Sequence, residues 1–198
     1  GAVLRADGQP VESGGIGTMS KSKNNGVDPQ ALIEDYGADI ARFFMMFTAP
    51  PEQTLEWSDS GVEGAARFLR RVWTYAHEHE ALLKSAGGTP PAALSAQLAS
   101  VRREIHAVLK QANYDMSRHQ FNTVASAAMK MLNALESAHK LEADAAARGP
   151  IVREGYSILL RLLSPITPHI AHHLWRELAL GTDILAAPWP DHDAAALI

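Results

Sequence analysis

The chain has 198 residues, 46% of them hydrophobic, 20% charged and 7% aromatic, with a formal net charge of −4. That composition supports one core, or a small module joined to a helical domain. No apolar run approaches the roughly 20 residues of a membrane span, no basic-then-apolar leader opens the chain, and the lack of cysteine excludes disulfides and thiolate-bound metals. The expectation is a cytoplasmic protein with no membrane association.

Gly1 to Glu12 reads as a short hairpin turning at Ala6-Asp7-Gly8-Gln9. The chain opens inside this strand-like stretch without a methionine, as expected of an excised fragment or of a full-length protein trimmed at its start. Ser13 to Gly17 is Gly-rich, and Thr18 to Gly26 is a polar loop with three hydroxyls, two lysines and two asparagines. Asp28-Pro29 signals a helix start, with Asp as cap and Pro in the first turn. That helix is expected to reach Tyr36 and stop at Gly37. A second begins near Ala38, carries Ile40, Phe43, Phe44 and Phe47 at helical spacing, and ends at Pro50-Pro51. Phe43, Phe44, Met45, Met46 and Phe47 are read as core, and Leu55-Glu56-Trp57 as extended.

From Ser60 onward the pattern is helical. Ser60 and Glu63 have capping-box spacing. Val62, Ala66, Leu69, Trp73 and Ala76 form an apolar stripe, and Trp73 and Trp175 are read as core. Gly87 to Pro91 is a linker. Val101, Ile105, Val108 and Ala112 mark one amphipathic helix, and Phe121, Val124, Ala128, Leu132 and Leu135 the next. Glu142 to Gly149 reads as a connection, with Pro150 opening a helix through Ile158, Leu162 and Leu163. Thr167-Pro168 starts the last helix, and Ala187-Pro188-Trp189-Pro190 closes the ordered part. The fold class is mainly α: an antiparallel helix bundle over 58–198, preceded over 1–57 by a small α/β module.

The middle third is locally basic although the whole is acidic, which leaves nucleic-acid phosphates open as a partner. Arg67, Arg70 and Arg71, and then Arg102, Arg103 and Lys110, are candidate phosphate contacts; a solvated charged face accounts for each equally well. His169, His172 and His173 lie at helical spacing, but no third ligand accompanies any pair, so no metal site is assigned. His77 and His79 are read as surface residues. In the polar loop, lysines supply mobile positive charge, hydroxyls and free N–H groups add neutral donors, and the flanking glycines permit closure.

Met19-Ser20-Lys21-Ser22-Lys23 resembles the Lys-Met-Ser-Lys-Ser signature of class I aminoacyl-tRNA synthetases. The resemblance extends through Asn24-Asn25-Gly26-Val27-Asp28-Pro29, Tyr36-Gly37-Ala38-Asp39, Leu55-Glu56-Trp57-Ser58-Asp59, Arg67-Phe68-Leu69, Arg71-Val72-Trp73, Thr167-Pro168-His169-Ile170 and Ala187-Pro188-Trp189-Pro190, and it points to the leucyl-tRNA synthetase family. Asn24, where the isoleucine and valine enzymes tend to have Gly, and Leu55-Glu56-Trp57 favour leucine over the isoleucine or methionine enzymes. One position departs: Thr18 stands where the signature has its first lysine.

The resemblance implies that residues 1–57 end a catalytic core and that 58–198 form the anticodon-binding bundle of a monomer. It implies ATP (with Mg2+ in the full enzyme), leucine and tRNA-Leu as substrates, with Lys21 stabilising the pyrophosphate leaving group and Met19, Ser20, Ser22 and Lys23 helping to hold ATP. The family's other ATP motif, of His-Ile-Gly-His type, is absent from these residues. The chain alone is therefore expected to be inactive. The competing reading is a helical assembly adaptor without catalysis, which has no use for the loop at Met19 to Gly26.

Overall fold

Asp28 and Pro29 start the first helix as their chemistry predicts: the Gln30 N–H donates to Asp28 Oδ1 at 3.1 Å, and α1 runs Pro29–Tyr36. In this computed structural model, which describes residues 2–3, 8–11, 14–87, 90–91, 93–141 and 145–198, the chain divides into two compact units, Gly1–Asp35 and Tyr36–Ile198. In the first unit, β1 (Ala2–Val3) pairs antiparallel with β2 (Pro10–Val11). The expected turn lies partly outside the described residues, as do Gly1, Glu12 and Ser13.

The second unit is helical. Gly37, at φ +89°, ends α1 and precedes α2 (Ala38–Thr48). The chain then forms α3 (Asp59–Glu78), α4 (Glu80–Ser85), α5 (Ala96–Ser117), α6 (Phe121–His139), α7 (Ala145–Leu163) and α8 (Pro168–Glu177). The mainly α bundle expected from the periodicity is present. Leu98, Ile105 and Leu109 of α5, Val124, Met131, Leu132 and Leu135 of α6, and Ile151, Leu159 and Leu162 of α7 are fully buried. Among the described residues, no helix is long and apolar enough to cross a membrane.

Gly155 of α7 lets these helices meet closely. A Cβ there would lie 2.7 Å from Ile105 Cδ1 and 2.8 Å from Leu135 Cδ2. Tyr156 beside it is buried; its hydroxyl donates to the Val72 carbonyl at 2.8 Å, and its ring stacks on Tyr75.

α2 packs against α3 and α6. Phe43 and Phe44 are buried against Phe68 and Trp57, but Met45 and Phe47 are 51% and 38% exposed. The expectation of five consecutive core residues is thus corrected: a helix turns successive side chains by about 100°, so only one face of α2 meets the bundle.

Several boundaries differ from the sequence reading. Ser58, not Ser60, caps α3, its Oγ accepting the Gly61 N–H at 3.1 Å. Ser60 lies within the first turn and Glu63 faces Arg67 instead. α7 begins at Ala145, so Pro150 is inside a helix rather than at its start; a proline in the second turn forfeits only one backbone bond near the end. Of the expected 142–149 connection, residues 142–144 lie outside the described residues, as do 88 and 89 of the expected linker. The chain past Pro190 is also structured: a 3-10 turn at Ala194–Leu197 packs on α5.

His79 separates α3 from α4 and is half-buried, not a surface residue. Its ring stacks on His139 of α6, with centroids 3.7 Å apart and planes 8° from parallel. The Tyr75 hydroxyl lies 2.7 Å from His139 Nε2. Burial, then the adjoining His79 and Arg148, push the His139 imidazole down to about 4. At pH 7 His139 is neutral in folded and unfolded chains alike. As pH falls from about 6.5 towards 4 only the unfolded chain takes up the proton, so stability is lost across that window. With the site half exposed, the expected loss is on the order of 1–2 kcal/mol. Denaturant midpoints measured from pH 7 to 4.5 should therefore fall more steeply for the natural chain than for His139→Gln. Parallel curves would show that His139 contributes nothing.

Candidate functional site

The polar loop is held by its own side chains. A 3-10 turn spans Lys21–Lys23, and the Ser20 Oγ accepts the Lys23 N–H at 3.3 Å. Asn24 follows in the left-handed region, φ 49°, and its N–H donates to the Lys21 carbonyl at 3.1 Å. Asn and Gly are the residues that tolerate this conformation best, so Asn24 suits its place at the end of the turn. Asn25 ties the loop across its mouth: its Oδ1 accepts the Ser20 N–H at 2.8 Å, and its Nδ2 donates to the Thr18 carbonyl at 3.3 Å. The sequence reading did not single out this brace: local side-chain-to-backbone patterns reach about two to four residues, and these bonds reach back past that range to Ser20 and Thr18.

Met19, Lys21, Ser22 and Lys23 are exposed and Ser20 is partly so. Neither lysine makes an ion pair among the described residues, and the Ser20 and Ser22 hydroxyls lie 3.2 Å apart. The turn thus presents two ammonium groups, two hydroxyls and no carboxylate between Thr18 and Val27. That donor set fits an oligophosphate. It does not fit a divalent cation, so any Mg2+ accompanying ATP would have to be held by the phosphates and by residues elsewhere.

The six basic candidates on the bundle fall into two groups. Arg67, Arg70 and Arg71 come together along a groove of about 580 Å3 between α3 and α6, with Lys140, Glu78, Glu136 and His79. Four cations against two carboxylates leave this groove positive. Arg71 is clamped on Glu136 at 2.7 and 3.2 Å and donates to Asn133 Oδ1 at 2.7 Å. Arg67 is loosely paired with Glu63, at 3.8 Å. Arg70 is exposed and makes no ion pair among the described residues.

The α5 cations do not line this groove. Arg102 lies inside a partly buried network: Nε and Nη2 donate to Glu154 at 2.8 and 2.9 Å, and Nη2 also to Asp193 Oδ2 at 2.8 Å. His106 completes it, Nδ1 accepting the Asp193 N–H at 3.1 Å and Nε2 lying 3.2 Å from Glu154 Oε1. Burial works to raise the Glu154 carboxyl, but the hydrogen bonds from Arg102 and His106 prevail and hold it below its ordinary value. Arg103 donates to the Ile198 carbonyl. Lys110 is exposed.

His169 pairs with Asp39 at 2.9 Å, His172 lies 3.6 Å from Asp183, and His173 lies 3.1 Å from Glu177. Among the described residues no three metal-ligating side chains converge. Trp175 is buried as expected, at 6% exposure, but Trp73 is 38% exposed and not core. It sits at the edge of the α3 stripe, whose buried members are Val62, Ala65, Phe68, Leu69, Val72, Tyr75 and Ala76.

Residues 99–197 match the family model described as the anticodon-binding domain of tRNA ligase, and residues 11–58 match that of tRNA synthetases class I (I, L, M and V). The leucine–tRNA ligase of Azoarcus sp. (strain BH72) is 62% identical over 99% of this chain, and that of Cupriavidus metallidurans 61% identical over all of it. The chain spans 23% and 22% of the length of these two relatives. Among solved structures, a LeuRS of Agrobacterium radiobacter K84, crystallised as a ternary complex with tRNA and LeuAMS, matches with a TM-score of 0.81 at 25% identity, over 91% of this chain and 23% of that one. With half its residues matching that model and relatives of this similarity along its whole length, the chain belongs to the anticodon-binding domain family of tRNA ligases and resembles the leucine enzymes in particular.

Proposed function

We propose that the chain is a segment of a leucine–tRNA ligase, contributing the mobile ATP loop and the helical grip on tRNA-Leu. The observation that carries this is the 62% identity to a leucine–tRNA ligase over 99% of the chain, a span that takes in the lysine turn and the basic groove. In this reading residues 1–57 end the catalytic core and 58–198 are the tRNA-binding bundle of a cytoplasmic monomer. α2 belongs to the first by sequence and packs with the second in space.

The reaction has two steps. Leucine's carboxylate attacks the α-phosphate of ATP, releasing pyrophosphate and leaving leucyl-adenylate; a hydroxyl of the terminal adenosine of tRNA then attacks the leucyl carbonyl, forming the ester and releasing AMP. Lys21 stabilises the charge that builds on the departing pyrophosphate, with Lys23, Ser20, Ser22 and Met19 shaping the turn around it. The chain alone lacks the remaining walls of the nucleotide site and is inactive in this proposal. Arg67, Arg70 and Arg71 hold tRNA phosphates, and Lys110 and Arg103 are weaker candidates. Arg102 keeps its place among the phosphate contacts only if RNA displaces one of its two carboxylates.

The adaptor reading is separated by RNA binding. The folded chain should bind tRNA-Leu more tightly than an unrelated tRNA. If three phosphates are engaged, affinity should fall about 40-fold between 50 and 200 mM salt. A folded chain that binds no tRNA at low salt would overturn the proposal for the bundle.

A further inference from the structure

Trp73 borders a second groove, of about 510 Å3, lined by Tyr36 at the end of α1, by Ala38 and Ile40 of α2, by Ala66, Leu69 and Arg70 of α3, and by Ile170 of α8. The indole is exposed yet held in place. The His173 ring stacks on it at 5.1 Å, and the His77 ring meets it edge-on at 4.6 Å. A large aromatic kept rigid at the surface is a platform for another flat group. Small residues at Ala38 and Ala66 leave the floor open, and Tyr36 adds a second aromatic, 38% exposed.

The charges favour a phosphate at the rim. Arg70 is three residues before Trp73, so the two share a helix face. It lines both this groove and the basic groove between α3 and α6, so its guanidinium is at the border of the two. Its neighbour Arg71 is tied to Glu136 and Arg67 faces Glu63 at 3.8 Å, while Arg70 makes no ion pair among the described residues. The groove's one carboxylate, Asp39, is occupied: it accepts the Ile170 N–H at 2.7 Å and faces His169 Nδ1 at 2.9 Å.

We propose that this groove seats one unpaired nucleotide of an RNA strand, with its base stacked on Trp73 and its phosphate on Arg70. The inference rests on the tRNA-binding reading and deepens it. A paired base hides its face within the helix, so the nucleotide must be unstacked to enter.

The test follows the four tryptophan indole N–H resonances of the labelled chain, with Trp73→Phe assigning its own. The probes are a single-stranded RNA hexamer, the same sequence within a duplex, AMP, and tRNA-Leu. The hexamer should move the Trp73 resonance, and the duplex should not. Trp73→Ala should weaken hexamer and tRNA binding about 5- to 100-fold without changing the salt slope, whereas Trp73→Phe stays within about threefold and Arg70→Ala lowers the slope by about one. Matched thermal melts establish that the variants fold. If Trp73→Ala binds both RNAs as the natural chain does, this inference falls and the tRNA reading stands. If the natural chain binds no RNA, both fall. If AMP moves the Trp73 resonance as strongly as the hexamer does, the groove is a mononucleotide pocket and the proposal is overturned.

Discussion

Replacing Lys21 with alanine in a complete enzyme carrying this segment should slow leucine-dependent pyrophosphate exchange by a factor of about 10²–10³, equivalent to about 3–4 kcal/mol. The magnitude follows from where the charge develops. The ammonium group has no ion-pair partner among the described residues, so no competing contact must break before it reaches a phosphate. The loss should appear in kcat more than in KM for ATP, because the contact strengthens as negative charge moves onto the leaving group. Arginine should restore only part of the rate, since its planar fork does not match a compact point charge on a short turn. Thr18→Ala, at the signature's first position, should change the rate less than threefold. An unchanged kcat for Lys21→Ala would remove the lysine from the mechanism.

Arg102→Met should lower stability by about 3–5 kcal/mol, and the melting temperature by about 10 °C for a chain of this size. The side chains of Arg102 and Glu154 are only 15% and 19% exposed. Removing the guanidinium strands the Glu154 carboxylate in a site that ordinarily favours the neutral acid. The network's contribution also depends on pH. Because Glu154 is held below its ordinary value, its share is present above the unfolded carboxylate pKa and is lost as pH falls through the folded one. Adding Glu154→Leu to Arg102→Met should recover much of the loss, since a paired buried charge replaced by apolar groups is close to neutral. If Arg102→Met melts with the natural chain and instead flattens the salt dependence of tRNA binding, the residue is a phosphate contact and not a structural one.

The parts of this fold that are local in sequence were legible, and those made by distant partners were not. Asp28-Pro29 announces a helix start because a cap and a restrained φ act within three residues, and Thr167-Pro168 announces one through the restrained φ of its proline alone. The lysine loop was legible as a string, while its bracing by Asn25 was not, because Asn24-Asn25 also reads as a generic turn. Pro150 misled because proline is most at home in a first turn, and α7 had already begun at Ala145. Trp73 misled because its spacing from Leu69 and Ala76 fits a stripe, and only the packing of α8 decides where that stripe ends. Arg102 reads as one of a basic pair with Arg103, yet its carboxylates lie 52 and 91 residues away, beyond any pattern on a single helix.

Such distance also governs the corner between α7 and α8. Thr167 does not cap α8 with its side chain; its hydroxyl faces the Leu163 carbonyl. Asp39 of α2 takes the Ile170 N–H in its place. One turn further along α2, Arg42 donates to the Pro165 and Ile166 carbonyls, each at 2.9 Å. A single helix therefore supplies the anion for the start of α8 and the cation for the carbonyls just after α7, across more than 120 residues of chain. Closing a loop of that length costs about 4 kcal/mol in chain entropy, so the corner adds high-contact-order contacts of the kind that slow folding. The stretch from 99 to 197 therefore takes the capping of its last helix from outside itself: cut free of α2, α8 begins without the Asp39 carboxylate.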